Sequence, residues 1–161
     1  MKRKIFFIFL SVLFVLLQIF AVKYLSYRAM FPNFLLLGCV YFGMQSGVLG
    51  GAVAGFVLGF CLDVLSLSLF GSGMFMLTLI GGSAGIVKGK LDESQTLVQL
   101  LIVFVFALLY TLGVWFWQAV LGQSAGRSLS AAALGQALLT LIVCPFIFLF
   151  CAWLQYLFKV E

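Results

Sequence analysis

Histidine is absent from this 161-residue chain, only four residues are acidic, and charged residues of both signs make up 8% of it. A soluble domain carries about a quarter charged residues, so the composition excludes an ordinary water-soluble globule. Without histidine the chain lacks the commonest general base and metal ligand. Its four cysteines, Cys39, Cys61, Cys144 and Cys151, all lie within apolar runs, and none forms a CxxC pair. They read as small buried hydrophobes, so no metal, redox group or other cofactor is expected. No GxSxG, HExxH or phosphate-binding loop is present, and no two acids share an apolar segment. A nucleophile such as Ser66 or Ser72 has no histidine to activate it. The sequence predicts a protein that is not an enzyme.

What fills the chain instead is apolar surface: 65% of residues are hydrophobic and 17% aromatic, with a mean hydropathy of +1.29. Apolar runs near the roughly 20 residues needed to cross hydrocarbon recur with short polar gaps, leaving no stretch for a soluble domain. An all-α integral membrane protein is predicted, one compact domain over residues 1–161 with six spans near 5–22, 32–44, 47–65, 74–87, 95–120 and 131–158. The second is short, and must thin the bilayer, extend into its flanks or pair with the third as a re-entrant hairpin. Pro32 suits the first turn of that segment, and Pro145 should kink the last one. The basic start resembles a signal peptide, but no A-x-A-like site follows, so an uncleaved first span is expected.

The net charge of +5 comes from basic residues scattered between apolar segments, which argues for topology determinants and against nucleic acid. Six spans place both termini on one side. With that side cytoplasmic, Lys2, Arg3, Lys4, Lys88, Lys90 and Lys159 lie inside and Lys23, Arg28 and Arg127 outside, as the positive-inside rule favours. Asp92 and Glu93 read as a solvated capping turn. The aromatic cluster around Tyr110, Trp115 and Trp117 reads as an interfacial belt, although it could line a cavity. Gln18, Gln45, Gln99, Gln118, Gln136 and Gln155 are spread along the chain without converging in sequence.

Gly47, Gly51, Gly55 and Gly59 recur every fourth residue, and Asp63 occupies the next step. Such spacing on a 3.6-residue helix makes a slowly winding groove along which another backbone can lie. A second ladder, Gly73, Gly81, Gly85 and Gly89, is interrupted by Leu77. Close packing is predicted for both helices, against each other or against a partner. In that reading Gly55→Leu is disruptive and Leu58→Ala mild. Asp63 has three readings: a boundary carboxylate capping the next turn, a buried contact fixing a helix or partner, or part of an ion path. A lone acid argues against the last.

The stretch Pro32–Gly85 resembles the MreD family of the bacterial rod-shape system: a proline opens a short helix, GFxxGxxxD follows, and a glycine-containing turn leads to a second glycine-rich helix. The family motif falls on Pro32, Gly55, Gly59 and Asp63, with Gly71 in the turn. The resemblance implies a scaffold of the elongasome in the bacterial inner membrane. Its partner would be MreC, and through it the scaffold would connect MreB filaments with RodA and a penicillin-binding transpeptidase. Its expected contacts are the glycine grooves, Gly47, Gly51, Gly55, Gly59, Gly81 and Gly85, which would receive the MreC membrane helix. The resemblance also implies a fold similar to the substrate-binding subunits of energy-coupling-factor transporters. That leaves a second function class, a membrane subunit binding a small molecule of the vitamin type.

Overall fold

The computed structural model describes residues 2–24, 32–66, 71–88, 96–120 and 131–158. These form five helices: α1 (Lys2–Tyr24), α2 (Phe34–Ser66), α3 (Ser72–Val87), α4 (Thr96–Val120) and α5 (Ala131–Phe158). No strand occurs among the described residues. Four of the helices are long and apolar enough to cross a membrane, over Phe6–Tyr24, Phe34–Leu65, Val98–Trp117 and Gly135–Leu154, while α3 is shorter. Lys90, Asp92, Glu93, Gly89 and Arg127 lie outside the described residues.

The expected six spans are thus five helical elements. The segments expected at 32–44 and 47–65 run into one another within α2, because one residue makes the break between them. Gly47 adopts φ 78 and ψ −170, a conformation essentially confined to glycine. The break is a reversal: a Cβ placed on Gly51 would lie 2.7 Å from the Cα of Gly43. In an uninterrupted helix residues eight apart are separated by about 12 Å. The two arms of α2 therefore fold back on each other without a connecting loop. Gly47→Ala forces a side chain into this conformation and is expected to cost about 1–3 kcal/mol. A lowered thermal unfolding midpoint in nanodiscs, with Gly82→Ala, where an added Cβ meets only ordinary contact, measured alongside, checks this.

Burial explains why the first arm is short. Every residue from Pro32 to Met44 is buried, so this arm faces protein and need not match the thickness of the hydrocarbon. Phe14 of α1 lies against Gly38, where an added Cβ would come within 2.8 Å of the ring. Phe42 packs against Phe7 and Phe14 with centroids 5.3 and 6.2 Å away. On another side Tyr41 meets Phe148 of α5 edge-on at 5.7 Å. The second arm and the other helices turn apolar side chains outward, among them Leu49, Ile8, Phe116 and Leu149, as a lipid-facing surface requires. Helix α5 runs through Pro145, whose ring removes one backbone hydrogen bond.

Candidate functional site

The start of α3 leaves backbone N–H groups without partners inside the helix. Its N-cap residue, Gly71, has φ 100 and supplies no side-chain cap. The cap comes from the preceding helix instead. Asp63 Oδ2 accepts hydrogen bonds from the N–H of Gly71 at 2.9 Å and of Met74 at 3.0 Å. Its Oδ1 accepts from the N–H of Gly73 at 2.9 Å. Three donors and the positive end of a helix offset the cost of a carboxylate that is only 3% exposed. A Cβ on Gly73 would come 2.5 Å from Oδ1, so the carboxylate reaches the helix end only because residue 73 has no side chain. Asp63 caps the following turn and fixes a helix pair at once. The capped groups are those of Gly71 to Met74, beyond the Ser66–Ser68 stretch.

The second arm of α2 and α3 are joined along their glycines. An added Cβ at Gly51 would strike the carbonyl oxygen of Gly81, one at Gly55 that of Leu77, and one at Gly59 the Cα of Met74. At the far end a Cβ on Gly85 would strike the Gly47–Val48 backbone. Contacts this close place backbone against backbone, which only glycine allows. Cys39 Sγ, from the first arm, donates to the Leu77 carbonyl at 3.0 Å. Lys88 Nζ donates to the Gln45 carbonyl at 2.6 Å, where the first arm ends. The stripe, which the sequence leaves open to the neighbouring helix or to a partner and the family resemblance gives to a partner helix, is occupied by α3. Leu58, expected to tolerate truncation, is 1% exposed.

A polar joint that sequence reasoning missed lies at the start of α2. Asn33 Oδ1 accepts from the N–H of Leu36 at 3.1 Å, an N-cap. The N–H of Phe34 donates to Gln18 Oε1 of α1 at 2.8 Å. The N–H of Asn33 donates to Thr140 Oγ1 of α5 at 2.9 Å, and that hydroxyl donates to the Gln136 carbonyl at 2.7 Å. Tyr110 of α4 stands beside the Asn33 side chain and near Asp63. Four helices therefore converge on Pro32–Phe34. The signal for the cap was present in sequence as asparagine before an apolar run, whereas its partners, 16 and 107 residues away, had none. Thr140→Val keeps the shape but orphans the Asn33 N–H, at an expected cost of about 1–3 kcal/mol. Faster amide exchange at Asn33 and Phe34 than in the unaltered chain checks this.

The aromatic residues divide. Trp117 stacks on Phe75 of α3 at 5.9 Å, Trp115 is 36% exposed, and Tyr110 belongs to the joint. Among the described residues no group of three or more His, Cys, Asp or Glu side chains could hold a metal.

The helices, their glycine contacts and their buried caps define a polytopic helical membrane protein whose polar groups serve helix joining. The chain belongs to the MreD family: the family model of rod shape-determining protein MreD matches residues 2–155, nearly its whole length. It is therefore a rod shape-determining membrane protein, from a family that is structural and not known for catalysis. No curated protein and no solved structure matches the chain.

Proposed function

We propose that this chain is a non-enzymatic scaffold of the elongasome in the bacterial cytoplasmic membrane. It binds the single-span protein MreC and so helps couple MreB filaments to peptidoglycan synthesis by RodA and a penicillin-binding transpeptidase. Membership of the MreD family supports the part in rod-shape determination. The observation carrying the mechanism is that the buried polar side chains Gln18, Asn33, Asp63 and Thr140 all bond to backbone at helix starts. A chain built this way offers a rigid surface.

With the glycine stripe filled by α3, the partner's membrane helix docks on an outward apolar face. Both termini are cytoplasmic in this reading, which puts Lys88 and the Gly47 reversal inside and the Asp63 cap outside. Tagged chain purified from its native membrane in mild detergent should retain MreC, identified by mass spectrometry. Recovery of transporter ATPases, or of a bound vitamin-type molecule with no protein partner, contradicts the scaffold and favours a transport subunit.

A further inference from the structure

The hydrophobic height of the molecule differs from one side to the other. Helix α3 has 16 residues, about 24 Å, and its ends are marked by the Asp63 cap and by Lys88. In the second arm of α2, Asp63 likewise stands about 24 Å from Gly47. Between these limits the pair turns Leu49, Val53, Phe56, Phe75, Leu79 and Ile86 outward. Helix α4 instead has a 20-residue apolar run, Val98–Trp117, about 30 Å long and equal to a typical hydrocarbon core.

The two heights share one end. Phe75 stacks on Trp117, and Gly113 lies against Met76, so α3 and α4 run antiparallel with these ends level. Measured from these two contacts, α3 stops at Val87 after about 16–18 Å, whereas the apolar run of α4 continues to Val98, about 22–28 Å away. The difference of about 6–10 Å falls entirely on the Lys88 side. A flat bilayer fitted to α4 would hold Lys88 well inside hydrocarbon, where a charge costs about 2.5–3.5 kcal/mol at mid-depth. It would do the same to the reversal at Gly47, where Ser46 is exposed. Irregular backbone facing lipid has no way to satisfy its polar groups. Water must therefore reach the level of Gly47 and Lys88 on this face.

We propose that the face formed by the second arm of α2 and α3 is a seat for a locally thinned bilayer, with the leaflet on the Lys88 side drawn in toward Gly47. The partner is lipid, and the inference does not depend on the scaffold reading. Short membrane helices thin the surrounding bilayer at modest cost per ångström, and here the two arms and Lys88 fix that thinning to one side.

Ile86 and Val105 test this. Both are lipid-facing, 54% and 43% exposed, and both lie about 15 Å below the shared Phe75–Trp117 and Met76–Gly113 level. With Cys61 changed to alanine, Ile86→Cys and Val105→Cys are each reacted with a water-soluble maleimide in native membranes. Leu79→Cys serves as the hydrocarbon control on α3. Ile86→Cys should label at least about tenfold faster than Val105→Cys or Leu79→Cys, because thiolate forms only where water reaches. Equal rates at Ile86→Cys and Val105→Cys, both slow or both fast, overturn the proposal. Should either variant fail to fold, lipid-facing positions at similar depth, Val48→Cys on the second arm beside Gly85 and Phe104→Cys on α4, give the same comparison.

Discussion

Gly55→Leu should abolish recovery of folded protein. An added Cβ at this position strikes the Leu77 carbonyl oxygen and comes 2.6 Å from its carbon and 3.0 Å from the Cα of Thr78. All three are backbone atoms, so no rotamer change relieves the clash and α3 must move as a body. Forcing side chains into packed interiors costs about 1–3 kcal/mol even where side chains can yield, and the cost here should exceed about 3 kcal/mol. Val57→Ala, two residues on and 49% exposed on the lipid-facing side of the same helix, should leave stability within about 0.5 kcal/mol. Leu58→Ala should not be mild, since emptying a fully buried leucine site costs about 2–5 kcal/mol. Monodisperse yield and the thermal midpoint in detergent rank the three variants. Equal behaviour of Gly55→Leu and Val57→Ala would contradict the backbone contact.

The second large effect belongs to Asp63. Leucine there leaves the N–H groups of Gly71, Gly73 and Met74 without an acceptor. Each buried orphan costs about 1–3 kcal/mol, so Asp63→Leu should lose at least about 3 kcal/mol. Asparagine keeps one carbonyl oxygen. Standing where Oδ2 stands, it serves Gly71 and Met74, but its amide group then faces the Gly73 N–H. Asp63→Asn should therefore lose about one orphan's worth, about 1–3 kcal/mol. Amide exchange across Gly71–Met74 reads the order directly: slow in the unaltered chain, faster at Gly73 alone in Asp63→Asn, and fast throughout in Asp63→Leu. Slow exchange in Asp63→Leu would show that the carboxylate is not the cap.

The glycine ladder and the single intramembrane acid were visible in sequence because both are local patterns. A four-residue repeat marks a helix face, and a carboxylate among apolar residues requires a partner. The pattern could not say which backbone fills the groove, since the ladder on residues 47–59 and that on residues 73–85 suit each other and a foreign helix equally. Gly47 is the first rung, its backbone lying against Gly85, and its positive φ makes it the reversal as well, which is why two expected spans are one broken helix. The polar joint was harder to see. Asn33 is a local N-cap signal, but Gln18, Tyr110 and Thr140 meet it only after four helices have packed, and no sequence spacing encodes that meeting.

Closure of the glycine face within one chain is tested most directly by a cross-link. The position a Cβ would take on Gly82 is 3.9 Å from the Ala52 Cβ, within the range disulfides require. Ala52→Cys with Gly82→Cys, in a chain with Cys61 changed to alanine, should oxidise in native membranes to an intramolecular disulfide, seen as two thiols lost to maleimide-polyethylene glycol without a dimer band. Persistence of both free thiols, or a disulfide-linked dimer, would mean that α3 does not fill the groove.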